Sequence, residues 1–254
     1  MDPYGDYAWF YDLDYEGMDA DLPMIEQFAA RCGSPILELA CGTGRALLPL
    51  AQQGHQVVGV DFSPAMLERA QQKIRAAGFE DRVTLVEQDM RQLELEQRFH
   101  LAFIVSNSFL GLTTLDDQLT ALRRIHRHLT PGGLLLLDQF NPDLGRLLDV
   151  PGRVTLNKVV TDPQTGQTVL KFLTQSVDLG QQLIDTTLIL DRMDGSGRIQ
   201  RTMFPFTLRY LFRGELELML RHAGFAVEAI YGSYELDEFG SDSDRMIAVG
   251  RRLD

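Results

Sequence analysis

From Ile36 to Phe140, short apolar runs alternate with segments whose apolar positions recur every three or four residues. The runs Ile36–Ala40, Gln56–Asp61, Val83–Glu87, Leu101–Val105 and Leu134–Phe140 predict five strands, apolar on both faces. Strands of that kind, separated by helices, predict a parallel, doubly wound sheet. The helices between them carry their own start and stop signals. Leu47, Leu48, Leu50 and Ala51 follow the first strand. Ser63-Pro64 is an N-cap followed by proline at the first helical position; Leu67, Ala70 and Ile74 keep helical spacing, and Gly78 ends the run. Thr114 and Asp117 form a capping box ahead of Leu119, Leu122, Ile125 and Leu129, and Pro131-Gly132-Gly133 predicts a turn.

The pattern changes after Asn141. Residues 141–153 read as a loop, and four strand-like runs follow: Val154–Val160, Thr168–Val177, Leu183–Met193 and Arg198–Tyr210. Short turns rich in Asp and Gly separate them, which predicts antiparallel hairpins. Pro205 predicts a bend in the fourth run or an edge position for it. A helix over Gly214–Ala223 ends at Gly224, and Ala226–Tyr231 and Arg245–Gly250 predict a closing hairpin. At the other end, Tyr4, Tyr7, Tyr11 and Tyr15 recur at helical spacing. That face either packs on the rest of the chain or forms a lid that offers a ring or hydroxyl to a ligand.

These elements predict an α/β fold. Its main part is a Rossmann-like, seven-stranded sheet, mostly parallel, with an antiparallel hairpin at the C-terminal end. An antiparallel β cap is inserted into it. The expected boundaries are a helical lid over 1–34, the main unit over 35–150 and 212–254, and the cap over 151–211.

Composition narrows the function. The chain has 254 residues, 44% hydrophobic and 24% charged, within the range of globular proteins. The net charge of −12 argues against a nucleic-acid partner, because phosphate contacts need a basic surface. The two cysteines, Cys32 and Cys41, lack metal-site spacing, so no metal is expected. Their scarcity predicts a reducing compartment, and Met1–Asp6 does not open like a secretory signal, so the expected location is cytoplasmic. The apolar run Leu134–Leu137 is far too short to span a bilayer, and no membrane partner is expected.

In an open α/β sheet the ligand sits at the carboxyl ends of the strands. The first strand leads into Ala40-Cys41-Gly42-Thr43-Gly44-Arg45, a tight loop in which glycine lets backbone N–H groups approach a ligand. Glu38 lies just before it. An acid there disfavours a pyrophosphate and suits a cationic group such as an ammonium. Asp61 ends the second strand, twenty-three positions after Glu38, where a carboxylate accepts ribose hydroxyls. Asp89-Met90 follows the third strand, where a carboxylate can take the exocyclic amine of adenine and a backbone N–H a ring nitrogen. Ser106-Asn107-Ser108-Phe109 follows the fourth strand and Asn141-Pro142 the fifth. Each signal alone is weak: Asp61 could cap a helix, and Asp89 could be a turn residue. The set falls where one nucleoside ligand needs it. A dinucleotide site wants a third glycine where Leu47 stands, so S-adenosylmethionine fits better than NAD.

The runs Glu38–Arg45, Val58–Leu67 and Gln88–Met90 together resemble the class I S-adenosylmethionine-dependent methyltransferases. Tyr11-Asp12, the inserted sheet, Arg209-Tyr210 and Ser243–Arg245 resemble a subgroup acting on small molecules, which includes glycine-type and amino-sugar N-methyltransferases. The resemblance implies that Glu38, Ala40, Gly42 and Gly44 hold the methionine part of S-adenosylmethionine. Asp61 would hold the ribose, with Phe62 and Met66 beside the adenine and Asp89 and Met90 at its edge. Ser106 would lie under the sulfonium and Tyr11 would close over it. The product cofactor would be S-adenosylhomocysteine. The implied acceptor is a small molecule, an amine more than a hydroxyl, and Tyr11, Asn107 and Tyr210 are the candidates to orient it or take its proton. Rival readings are a protein or RNA methyltransferase and a binding protein without turnover. Leu110-Gly111-Leu112 carries no histidine where amino-sugar members often have one.

Overall fold

The computed structural model describes every residue except 1, 3, 6, 150, 151, 164 and 254. The boundary expected between 150 and 151 therefore lies outside the described residues. Helix α1 (Ala8–Asp14) and α2 (Leu22–Cys32) precede β1 (Ile36–Leu39). Then come α3 (Leu47–Gln52), β2 (Val57–Asp61), α4 (Pro64–Ala77) and β3 (Val83–Glu87). After these come β4 (Phe99–Ile104), α5 (Leu115–His128), β5 (Leu129–Phe140) and α6 (Leu144–Asp149). Four strands, β6 (Val154–Thr161), β7 (Thr168–Asp178), β8 (Leu183–Met193) and β9 (Ile199–Arg209), form a separate sheet. Helix α7 (Arg213–His222), β10 (Phe225–Tyr231) and β11 (Arg245–Arg252) complete the chain.

The main sheet has seven strands in the order β10-β11-β5-β4-β1-β2-β3. Its β1 to β5 pairs are parallel, and β11 runs antiparallel to both β5 and β10. The order reverses between β1 and β4, so the loops after these two strands diverge and leave a crevice at their carboxyl ends. Strand alternation sorts the core into two layers. Leu37, Leu39, Ile104, Leu135 and Leu137 pack with α5 and α7. Ile36, Leu101, Phe103, Leu134 and Leu136 pack with α2, α3 and α4.

The helix signals act as read. The Ser63 hydroxyl accepts the N–H of Met66, Gly78 adopts the left-handed C-cap with φ 74°, and the Thr114 hydroxyl accepts the N–H of Asp117. The second sheet is an antiparallel meander with β9 at one edge, which accommodates Pro205 without a break. Its Val169, Leu188, Leu190 and Phe204 bury Tyr7, Ala8 and Phe10 beneath them.

Three local expectations change. Pro131-Gly132-Gly133 is not a separate turn but a bulge within β5: Leu129 pairs with Phe99 and Leu134 with Leu101, so four residues on one strand face one on the other. Gly132, at φ 75°, makes that bulge possible. The 141–153 loop contains α6. Tyr4 and Tyr7 precede α1 and Tyr15 caps its end, so the tyrosine stripe extends beyond the helix. No described helix is long and apolar enough to cross a membrane.

Candidate active site

The loop after β1 is built from unusual backbone. Ala40, Gly42 and Gly44 have φ of 54°, 54° and 77°, in the left-handed region. For Ala40 this is a strained conformation, of the sort found at ligand-binding loops. Gly59 on β2 lies beneath: a Cβ there would stand 2.6 Å from Leu47 Cδ1 and 2.9 Å from Cys41 Sγ. Loop and helix can approach β2 only because that position is glycine.

Two carboxylates flank the loop. Asp61 accepts the N–H of Gly42 at 2.8 Å and that of Ser63 at 2.9 Å, so it ties the loop to the start of α4. Burial pushes its carboxyl above the ordinary value, and those two N–H groups oppose the shift. Glu38 is buried and its Oε2 has no hydrogen-bond partner. Burial lifts its carboxyl well above the ordinary range, against the pull of the Arg45 guanidinium. An orphaned buried acid beside a strained glycine loop fits a cationic group on a ligand. Arg45 does not neutralise it directly. Its guanidinium forks onto Asp21, at 2.6 Å to each oxygen, and reaches Ser106 Oγ at 3.3 Å.

The N-terminal segment lies over this loop. A Cβ on Gly42 would stand 3.7 Å from the Tyr11 hydroxyl. Tyr11 stacks on Tyr15 at 4.4 Å between centroids, and Tyr7 stacks on Phe204 of the second sheet at 4.9 Å. Burial raises the Tyr11 phenol well above its ordinary value, with Tyr15 adding to the effect. At neutral pH it is a protonated group able to donate, not a base. Asp12 fastens the helix: it accepts from Thr43 Oγ1 at 2.5 Å, Lys73 Nζ at 2.9 Å and Arg69 Nε at 3.3 Å.

The other wall is the loop after β4. Ser106 and Asn107 both have positive φ, 58° and 64°. Asp138 of β5 holds them there. It is fully buried, accepts the N–H of Ser106 at 3.0 Å, and pairs with Arg245 of β11 at 2.5 Å. Asn107 Oδ1 accepts the N–H of Phe140 at 2.7 Å and Arg245 Nη2 at 3.3 Å.

The loops thus gather Tyr11, Glu38, Ala40, Gly42, Gly44, Asp61 and Ser106 around one crevice. Met66 and Met90 are buried, while Phe62 is 44% exposed beside Tyr4, an accessible aromatic ring next to Asp61. Asp89 is already engaged: Arg91 forks onto it at 2.6 to 3.1 Å, and although burial raises its carboxyl, that guanidinium holds it below the ordinary value. Asn107 is committed as a brace by its oxygen. Tyr210 is buried with Leu147, Ile184, Val177 and Phe140, none of which belongs to the β1 or β4 loop. Asp138 and Arg245 form the part of the site that local reading missed in its role. The available signal was an acid inside the apolar run of β5.

A methyltransferase-domain family matches residues 36–133. The cypemycin N-terminal methyltransferase of a Streptomyces species is 30% identical over 221 residues, which cover 87% of this chain and 84% of that one. Further curated relatives are matched over about half their length or less. Among solved structures, the CcbJ methyltransferase from Streptomyces caelestis superimposes with a TM-score of 0.77 at 28% identity, covering 93% of this chain and 90% of that one. The sugar N-methyltransferase KedS8 from Streptoalloteichus shares the fold, with a TM-score of 0.76 at 22% identity over 96% and 93% of the two chains.

Proposed function

The chain belongs to the class I S-adenosylmethionine-dependent methyltransferases, and we propose that it methylates a small molecule on an amine nitrogen. The observation that carries the small-acceptor reading is the roof over the crevice. Tyr11 lies against Gly42 while Tyr7 stacks on Phe204, so the N-terminal helix and the second sheet close over the β1 loop together. In this reading 1–34 is a lid, 35–150 with 212–254 binds the cofactor, and 151–211 is the cap on the acceptor side.

The cofactor is S-adenosylmethionine, and the residues present suit it. Glu38, orphaned and buried, would face the amino-acid ammonium. The backbone of Ala40, Gly42 and Gly44 would hold the methionine part. Asp61 retains lone pairs beyond its two backbone bonds for the ribose hydroxyls. Phe62 and Met66 would flank the adenine, and Asp89 and Met90 would meet its edge, with Arg91 sharing the carboxylate. Ser106 would lie under the sulfonium.

Bound S-adenosylmethionine supplies an electrophilic methyl group together with its own leaving group. The protein then has to place the acceptor in line and exclude water, and alignment of this kind can remove about 7–11 kcal/mol of barrier. Tyr11, as a protonated phenol over the loop, would orient the acceptor or cofactor by donating. Asn107 would do so through its amide nitrogen, and Tyr210 would shape the pocket from behind Phe140. No histidine stands at the end of any strand from β1 to β5. A neutral amine needs no base to attack, whereas a hydroxyl does. This favours nitrogen; the cypemycin relative is named an N-terminal methyltransferase.

The test uses methyl-labelled S-adenosylmethionine and a cell extract split into small molecules and macromolecules. Label should enter the small-molecule fraction, in a product carrying an N-methyl group. Label in protein or RNA overturns the reading. Cofactor binding with label in neither fraction points instead to a binding protein.

A further inference from the structure

Gln139 is fully buried on β5, and neither the oxygen nor the nitrogen of its carboxamide has a hydrogen-bond partner. Among the described residues it is the one buried side chain with both of its polar ends orphaned. Native interiors rarely tolerate this, so such a group calls for an explanation. A structural one is missing, because the amide joins no network. Its two neighbours in sequence are engaged: Asp138 grips Arg245 and Ser106, and Phe140 donates to Asn107.

Its place in the fold indicates its purpose. Alternation puts Gln139 on the face that carries Leu135 and Leu137, the layer shared with Phe109, Leu110, Leu208 and Leu211. Glu38 and Asp138 alternate onto the opposite face, with Ile36 and Leu136. Gln139 is thus at the carboxyl end of the sheet, on the side where the 3₁₀ turn Ser108–Gly111 meets β9 of the cap. A second carboxamide lies on that side. Gln118, near the start of α5, is also fully buried; its oxygen accepts from Arg209 at 2.8 Å and its nitrogen is unpartnered. Glu38 shows the same signature where the cofactor's cation is expected. Gln139 has no accessible surface, so a partner for its amide enters only where the packing between β9 and the 3₁₀ turn opens.

We propose that Gln139 is an acceptor-binding residue, whose carboxamide donates one hydrogen bond to the acceptor and accepts one from it. This rests on the small-molecule reading above and deepens it. The acceptor then carries a hydrogen-bond donor and acceptor side by side, as in an amino alcohol or an amino amide. A purely apolar amine would leave the carboxamide as orphaned as before.

The experiment compares wild type with Gln139→Leu and, as a volume-conserving second variant, Gln139→Met. The acceptor source is the small-molecule fraction of the extract, titrated in dilution against methyl-labelled S-adenosylmethionine. Each variant is also melted and titrated with S-adenosylhomocysteine. The expected result is at least a tenfold rise in the fraction concentration giving half-maximal transfer. Melting temperature should be equal or higher, because an orphaned amide has been removed, and S-adenosylhomocysteine affinity should be unchanged. Superimposable dilution curves overturn the proposal. So does a lower melting temperature with weakened S-adenosylhomocysteine binding in both variants, which would mark Gln139 as structural. If wild type itself transfers no label to small molecules, the functional reading fails first and this proposal falls with it.

Discussion

The Asp61 carboxylate, at the end of β2, accepts the backbone N–H of Gly42, in the loop after β1, at 2.8 Å. One side chain therefore shapes the glycine loop and, in the reading proposed above, also holds the ribose. The two roles separate by substitution. Asp61→Ala loses both, and S-adenosylmethionine affinity should fall at least tenfold, about 1.4 kcal/mol. Asp61→Asn keeps an oxygen for Gly42 and should retain the melting temperature better than alanine while still binding the cofactor weakly. Calorimetric titration and thermal melts decide. Unchanged affinity in Asp61→Ala removes the ribose assignment.

If Glu38 faces the cofactor's ammonium as proposed, cofactor binding should depend on pH. Burial raises its native carboxyl well above 4.5, so the folded protein keeps a proton that the unfolded chain releases. The contribution of Glu38 to the stability of the cofactor-free protein is then fully present below the ordinary glutamate range and is lost as pH rises through the native value. An ammonium beside the carboxylate favours its charged form. Cofactor binding should release a proton and tighten as pH rises over the same window. Titrations in two buffers of different ionisation enthalpy measure that proton. Glu38→Gln should abolish the release, flatten the pH dependence and weaken binding. Identical proton release in the variant would show that another group is responsible.

The fully buried Asp138 and the partly exposed Arg245 form an ion pair beside the Ser106–Asn107 turn, which has positive φ. Removing one partner strands the other charge. Arg245→Leu should destabilise the protein by about 3–5 kcal/mol. Adding Asp138→Asn removes the stranded charge and leaves an oxygen for the N–H of Ser106, so the double variant should regain more than half of the loss. Denaturant melts test this, and additive losses would exclude the pairing.

The parts of the site built within one strand-loop-helix unit were legible in the chain. Glu38 directly precedes the loop, Gly42 and Gly44 supply its left-handed backbone, and Ser63 caps onto Met66, so spacing reveals them. Asp61 was legible because strand ends converge in this sheet topology. The ion pair was not, because Asp138 and Arg245 are 107 residues apart and meet only where β11 inserts beside β5. Asp89 shows the converse. Its position was readable, but its engagement by Arg91 two residues on depends on side-chain geometry. The bulge at 130–133 likewise follows from pairing with β4, which no local turn signal encodes.

Asp12 ties down the N-terminal helix, the proposed lid. Its carboxylate collects the Thr43 hydroxyl, Lys73 and Arg69, and so joins α1 to both the glycine loop and α4. Burial works against the charge, but these donors outweigh it and hold the carboxyl below its ordinary value. On the cap side the same helix is held by the Tyr7 stack on Phe204 and by Asp14, which takes Tyr7 and Lys171 at 2.5 Å each. Asp12→Ala should therefore free the lid from the loop while leaving it attached to the cap. Tyr11, one residue away, would lose its fixed position over Gly42. Cofactor dissociation should quicken about tenfold, a loss of about 1.4 kcal/mol, and proteolysis in the exposed 16–20 segment should speed up. High salt should reproduce part of the effect in wild type, because both cations are about a third exposed and open to screening. Stopped-flow displacement of a fluorescent cofactor analogue reads the off-rate. A rate unchanged by both the substitution and salt would mean that the stack on the cap alone keeps the lid closed.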